Sequence, residues 1–221
     1  MSTGLTFFLL SGLLAAQLVS AQDPIPVAEG EGLCDAIHNS GECAAAIEAH
    51  QIPLSRGRVR RDGAALRLRL TSGQVLSVAN DTVGRGALFY SFLGFCPRLG
   101  YYALWAQRYE GHFIRLVNAR TGWSVLVDDM PTVSPDARRF VTLALEMEVR
   151  LNTDIVVWRV DGDTLRREWE FQPEYSDPHD VRWLSNRSFE FAHSRSSPTI
   201  AVVVDTAEIG AAGQWVTRLG P

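Results

Sequence analysis

The sequence predicts a mainly β protein made of small antiparallel hairpin sheets. From Ile52 onward apolar and polar side chains alternate, as they do around Leu66, Leu68 and Leu70. This two-residue period is typical of a strand with one buried face and one wet face. Short turns with glycine or aspartate interrupt the alternation, and the Asp161-Gly162 turn is of a type that favours hairpins.

The strands can be assigned in chain order. Residues 66–70 and 75–78 are expected to form the first hairpin. Residues 87–95 are almost continuously apolar, which indicates a strand buried on both faces. Further strands are expected wherever the alternation resumes after a turn, over residues 101–107, 113–117, 123–127, 139–145, 155–160, 165–171, 181–184, 188–192, 199–204 and 214–218.

The spacing of these strands is typical of propeller blades, because units of three or four strands recur about every 40–50 residues. The Ser134-Pro135-Asp136 turn and the later run from Ile155 to Trp158 resemble the start and middle of a blade in TolB-type and WD40-type repeats. Ala137 stands where that turn commonly has glycine. The resemblance implies a small or partial β-propeller-like domain of about four blades. A β-sandwich-like assembly is the alternative.

A wider set of residues resembles an uncharacterised family of secreted bacterial proteins. The resemblance implies a leader, a short helical segment and a β-hairpin domain, and it implies no activity. The residues that carry it are Tyr101, Tyr102, Gln107, Tyr109, Glu110, Gly111, Leu116, Val117, Thr121, Gly122, Ser134, Pro135, Asp136, Arg139, Phe140, Ile155, Trp158, Trp183, Phe189, Glu190 and Phe191.

The N-terminal part of the chain predicts export. Residues 1–21 are expected to be a signal peptide, because an apolar run too short to span a bilayer ends in the small residues Val19-Ser20-Ala21. Residues 22–53 are expected to be a linker and a short helical segment, with Ser40 as an N-cap. The β-repeat domain then covers residues 54–221. No later apolar run is long enough to span a membrane, so a periplasmic or secreted location is expected.

The three cysteines leave one without a partner in an oxidising compartment. Cys34 and Cys43 flank a short turn that contains glycine, so a disulfide between them is the first expectation. Cys96 is then expected to pack as a small apolar residue among its neighbours. Pairing of Cys96 with Cys34 or Cys43 is the open alternative.

The composition argues against several function classes. The formal net charge is −4, and nucleic acid is not expected as a partner because phosphate binding needs a basic face. All 21 basic residues are arginine, which excludes Schiff-base lysines and Walker-type phosphate loops. Serine-hydrolase, zinc-protease and dinucleotide-binding motifs do not occur. We therefore predict no catalytic, metal or cofactor-binding residues and expect no cofactor.

Two polar turns are candidate recognition loops. One is an aromatic and acidic hairpin connection, and the other places an imidazole beside two carboxylates, which could bind a cation or act as an acid–base pair. Both also fit ordinary turns that satisfy the backbone. The candidate residues are Tyr109, Glu110, His112, Asp177, His179 and Asp180.

These features favour an exported, non-catalytic binding module of the bacterial cell envelope, whose loops contact a protein or glycan partner. One alternative is a carboxylate-dependent hydrolase of envelope or extracellular glycans that uses Asp128, Asp129, Glu146 and Glu148. Another alternative is an inhibitor of an envelope-degrading enzyme, which rests only on compartment and size.

Overall fold

The computed structural model describes residues 32–84, 87–108, 111–144, 154–172, 178–196 and 200–218. In this part of the chain the helix α1 (Ser40–Leu54) precedes fifteen strands. The strands are β1 (Val59–Asp62), β2 (Ala65–Arg69), β3 (Val75–Ala79), β4 (Phe89–Cys96), β5 (Tyr101–Arg108), β6 (Gly111–Asn118), β7 (Ser124–Val127), β8 (Thr132–Val133), β9 (Arg139–Ala144), β10 (Asp154–Asp161), β11 (Thr164–Phe171), β12 (Pro178–Ser185), β13 (Ser188–Ser196), β14 (Ile200–Ile209) and β15 (Trp215–Arg218).

The strands form four sheets, and each sheet takes consecutive strands of the chain. The first sheet contains β1 to β3, the second β4 to β7, the third β8 to β11 and the fourth β12 to β15. All the pairings between these strands are antiparallel. The prediction of antiparallel hairpin sheets after a short helical segment is therefore confirmed.

Three apolar cores join the four sheets in chain order. Each core is built from the inward-facing side chains of two successive sheets, as the two-residue period requires. Leu66 and Tyr102 belong to the core between the first and second sheets. The next two cores contain Leu116 with Phe140 and Ile155 with Phe189. This open stack is consistent with a partial propeller-like fold and with a sandwich-like one.

Tryptophan fills the second and third of these cores. Trp158 and Trp215 are buried, at 4% and 8% exposure. The buried indole N–H groups have acceptors, as buried polar groups require; Trp158 Nε1 donates to Thr142 Oγ1 at 3.1 Å. Four further indoles pack partly buried against the same cores, namely Trp105, Trp123, Trp169 and Trp183.

Helix α1 begins with a different N-cap from the one predicted. The side chain of Asn39, not that of Ser40, accepts the backbone N–H groups of Gly41 and Glu42, at 2.9 and 3.1 Å. Both residue types cap helices well, so the choice between two neighbours depended on backbone geometry. Among the described residues, no helix is both long and apolar enough to cross a membrane.

Cys34 and Cys43 form a disulfide with their Cα atoms 5.2 Å apart, which confirms the first expectation. The bridge fastens the short helical segment that ends at Cys34 to the first turn of α1. Cys96 takes no part in it and is buried at 1% exposure in the core between the second and third sheets. The alternative pairings of Cys96 are therefore wrong.

Candidate functional site

A surface cleft on the first sheet gathers four arginines. The cleft encloses about 280 Å³. Its walls come from the turn before β1 and from all three strands of the sheet. We call it the arginine cleft, and its lining residues are Gly57, Arg58, Arg60, Arg67, Arg69 and Val75.

The strand period places these arginines on one face of the first sheet. On β2, Leu66 and Leu68 are fully buried in the core. Arg67 and Arg69 occupy the alternate positions, so their side chains leave the opposite face of the sheet. On β1, buried Val59 precedes exposed Arg60 in the same way. The solvent-exposed face that the sequence predicts for β2 is therefore the floor of the cleft.

The chain enters β1 through a turn that favours glycine. Gly57 has a φ of 76°, in the left-handed region where other residues are strained. This turn directs the chain from the end of α1 along the edge of β2. There the carbonyl of Arg58 accepts a hydrogen bond from the backbone N–H of Arg69 at 2.8 Å. The turn thus sets the position of the first cleft arginine.

Like charges face each other across β1 and β2. Arg60 lies directly opposite Arg67 in the strand register. The hydrogen-bonded Arg58 and Arg69 form the next rung on the same face, beyond the buried Val59–Leu68 rung. Opposite side chains of adjacent strands have Cβ atoms about 5 Å apart, so like charges there destabilise the sheet. Asp62 lies 3.1 Å from Arg67 and offsets one of the four charges. The other three arginines have no carboxylate partner within the described ranges.

Aromatic residues of the second sheet hold one end of the cleft in place. The guanidinium carbon of Arg58 lies 4.3 Å from the centre of the Phe95 ring, and its Nε donates to the Ser55 carbonyl at 3.2 Å. The Tyr102 hydroxyl donates to the backbone carbonyl of Arg69. Burial raises the pKa of Tyr102, and the charges of Arg58 and Arg69 only partly oppose this rise. Tyr102 therefore remains protonated and keeps this hydrogen bond.

Exposed arginines of the fourth sheet have a different environment. Arg182 lies opposite Glu190 and forms an ion pair with it at 2.5 Å. Arg218 likewise pairs with Glu208 at 2.5 Å. Opposite charges across strands stabilise a sheet where like charges destabilise it. The cleft thus differs from the fourth sheet, where both of these arginines have a carboxylate partner. A single like-charge rung also occurs in the third sheet, where Arg159 lies opposite Arg166.

The arginine cleft can bind anions but cannot transfer protons. A guanidinium group stays protonated in proteins, and none of the lining residues can act as a general base. The planar N–H groups of arginine match the oxygens of carboxylate and phosphate in a two-pronged geometry. The arrangement is therefore suited to holding an anionic ligand.

The candidate recognition residues that the structure describes lie in strands and do not line the cleft. His112 is in β6, where its ring stacks on Trp105 with 3.8 Å between ring centres. Burial lowers the pKa of His112, which favours its neutral form. His179 and Asp180 are the second and third residues of β12, with His179 Nε2 3.8 Å from Asp180 Oδ2. Outside the described residues lie Tyr109, Glu110 and Asp177.

The carboxylates of the hydrolase alternative are described only in part. Asp128 and Asp129 lie between β7 and β8. Burial raises the pKa of Asp129, the N–H of Met130 opposes the rise, and the neighbouring charge of Asp128 adds to it. Glu146 and Glu148 lie outside the described residues. In the part of the chain that is described, no group of three or more His, Cys, Asp or Glu side chains could hold a metal ion.

A buried polar pair, His193 and Asp205, was not predicted. It joins β13 to β14, with His193 Nε2 3.0 Å from Asp205 Oδ2. The two residues are 5% and 1% exposed, and His193 Nδ1 is buried without a hydrogen-bond partner. The sequence does contain a signal for this buried carboxylate. Asp205 interrupts the apolar run of β14 at a position where the strand alternation directs the side chain into the core.

No protein-family model matches this chain, and the search of curated proteins finds no match either. Its function is therefore argued from the arginine cleft.

Proposed function

We propose that this protein is an exported, non-catalytic binding module of the bacterial cell envelope that holds an anionic partner in the arginine cleft. The observation that carries this proposal is a pair of Arg–Arg rungs on the same face of the first sheet, Arg60 with Arg67 and Arg58 with Arg69, all of which line the cleft. Two rungs of like charge cost stability in the free protein. An anion bound between these arginines offsets their repulsion, so anion binding accounts for the presence of the destabilising like charges.

Export is supported by the predicted signal peptide over residues 1–21 and by the disulfide between Cys34 and Cys43. Such bridges form and persist in oxidising compartments such as the periplasm and the cell exterior. The partner is expected to present anionic groups to the cleft.

Retention on an anionic matrix tests the proposal. The isoelectric point is about 5.7, so at pH 7.5 the whole protein is repelled by phosphocellulose unless a local basic site binds the matrix. We expect the signal-peptide-free protein to be retained at low salt and released as salt screens the exposed charges. The Arg60→Gln/Arg69→Gln double variant, called the cleft variant, is expected to flow through.

The control removes the same charge elsewhere. Arg159 lies opposite Arg166 in the third sheet, outside the cleft. The Arg159→Gln/Arg166→Gln double variant, called the control variant, is expected to be retained like the unmodified protein. Flow-through of the unmodified protein, or equal loss in both variants, would contradict the proposal.

A further inference from the structure

We infer that the ligand of the arginine cleft is a small organic group bearing a phosphate monoester, rather than a carboxylate or an extended polyanion. This inference rests on the proposed function and specifies the ligand of the same site. It depends on the charge of the cleft, its size and its two uncharged walls.

The charge of the cleft favours a dianion. Arg58, Arg60 and Arg69 have no carboxylate partner among the described residues. A carboxylate brings one charge and two oxygens, whereas a phosphate monoester brings a charge of about −1.5 to −2 and three strong acceptor oxygens. Three oxygens can accept paired hydrogen bonds from guanidinium groups of both strands. A monoester therefore offsets most of the repulsion, and a carboxylate leaves most of it in place.

The size of the cleft favours a compact ligand. Pockets for drug-sized molecules enclose about 300–1,000 Å³, and the arginine cleft encloses about 280 Å³. This space takes one phosphate group with one small organic group.

The uncharged walls leave room for the organic part of the ligand. Val75, across β2 from the turn, is 54% exposed and offers an apolar surface. Gly57 presents no side chain, and the space beside its Cα is open. A sugar or glycerol unit can pack against Val75 while its phosphate faces the guanidinium groups. Phosphate monoesters of this kind occur both as free small molecules and as headgroups of membrane lipids.

Calorimetric titration in a buffer without phosphate, at pH 7.5 and low salt, tests the chemistry. The probes are glucose 6-phosphate, glucose 6-sulfate and glucuronate. We expect glucose 6-phosphate to bind at least about tenfold more tightly than glucuronate, since each additional charged hydrogen bond is worth a factor of that order. The cleft variant should weaken this binding at least about tenfold, and the control variant should leave it unchanged. Circular dichroism of each variant verifies that it is folded.

The pH dependence identifies the dianion. The second pKa of a phosphate monoester is about 6, so lowering the pH from 7.5 to 5.5 should weaken glucose 6-phosphate binding about fourfold. A sulfate ester does not titrate in this range, and any affinity for glucose 6-sulfate should stay constant.

Vesicle sedimentation then separates the two sources of monoester. Binding to phosphatidic acid but not to phosphatidylglycerol, which is a diester, supports a lipid headgroup, and binding of glucose 6-phosphate alone supports a free ligand.

Some outcomes overturn this inference alone. These are equal affinity for glucuronate and glucose 6-phosphate, an affinity for the phosphate that does not change with pH, or binding only to long polyuronates or nucleic acid. In each case the cleft still binds anions and the proposed function stands. Absence of binding to every anion, or binding that the cleft variant does not weaken, overturns the proposed function as well.

Discussion

Glu48 of α1 forms an ion pair with Arg61 of β1 at 2.5 Å, and together they close the free edge of the second sheet. β4 is the edge strand of that sheet. Glu48 Oε2 accepts the backbone N–H of Phe92 at 2.8 Å, and an Arg61 nitrogen donates to the Tyr90 carbonyl at 2.6 Å. Exposed edges invite pairing with other chains. The helix therefore covers an edge that would otherwise favour aggregation.

Replacing Glu48 with alanine should destabilise the protein by about 2–3 kcal/mol, because it leaves the partly buried Arg61 and the Phe92 N–H without this acceptor. Urea denaturation followed by tryptophan fluorescence measures the free energy of unfolding. Glu42→Ala on the exposed side of the same helix is the matched control, and it should cost no more than about 1 kcal/mol through its favourable position in the first helical turn. Equal losses in the two variants would show that the edge contacts contribute little.

The cleft variant should be more stable than the unmodified protein. Removing Arg60 and Arg69 relieves one like-charge contact in each rung, which is expected to raise the free energy of unfolding by about 0.5–1 kcal/mol at low salt. The gain should shrink as added salt screens the exposed charges. Urea denaturation at two salt concentrations measures both effects. A cleft variant that is less stable at low salt would refute the repulsion on which the proposed function depends.

Local patterns in the sequence were enough to place most of the strands, although β1 and the two-residue strand β8 were not predicted. The alternation around Leu66 and Leu68 identified β2 and its wet face, and the Asp161-Gly162 turn identified the β10–β11 hairpin. Trp158 and Trp215 lie on strands that were predicted over residues 155–160 and 214–218, and the structure buries both between sheets. These features depend on side chains close in sequence, so the two-residue period and the turn residues specify them.

The candidate site depended on register, which local patterns do not specify. Arg67 and Arg69 alternate with the buried leucines of β2 and were therefore expected on its solvent-exposed face, whereas β1 and its arginines were not predicted. Arg60 faces Arg67 only because the turn at Gly63 fixes which residues of β1 and β2 pair. Similarly, His193 meets Asp205 only because β13 and β14 pair in one register. The sequence alone therefore indicated a charged surface but not a cluster of unpaired charge.

Glu168 should make the stability of the protein depend on pH. Burial tends to raise the pKa of Glu168, but its hydrogen bonds and ion pair with Arg139, 2.5 Å away, outweigh burial and hold that pKa below its usual value. A lowered carboxyl pKa stabilises the folded state above the unfolded-state value of about 4.5, and this stabilisation is lost as the pH falls through the lower folded-state pKa.

Glu168→Gln is expected to cost about 1–2 kcal/mol at pH 7, and the difference from the unmodified protein should narrow below about pH 4.5. Urea denaturation from pH 7 to pH 3 measures this. Glu170→Gln is the control, because the exposed Glu170 contacts only Arg167 within the described residues, at 3.4 Å, and should change stability by less than about 0.5 kcal/mol. A difference for Glu168→Gln that stays constant with pH would exclude the role of its charge.

The buried pair of His193 and Asp205 should behave as a coupled unit. Replacing His193 with phenylalanine keeps a ring of similar size beside Phe191, whose ring centre lies 5.9 Å from that of His193, but removes a hydrogen bond to a carboxylate that is 1% exposed. Breaking a buried pair from one side typically costs about 3–5 kcal/mol, whereas replacing both partners with apolar residues costs far less. We therefore expect His193→Phe to lower the free energy of unfolding by about 3 kcal/mol.

The His193→Phe/Asp205→Leu double variant should recover most of that loss, since no buried carboxylate is left to satisfy. Urea denaturation of the single and double variants completes the cycle. Additive losses would mean that the two side chains are stabilised independently, by contacts other than the 3.0 Å hydrogen bond between them.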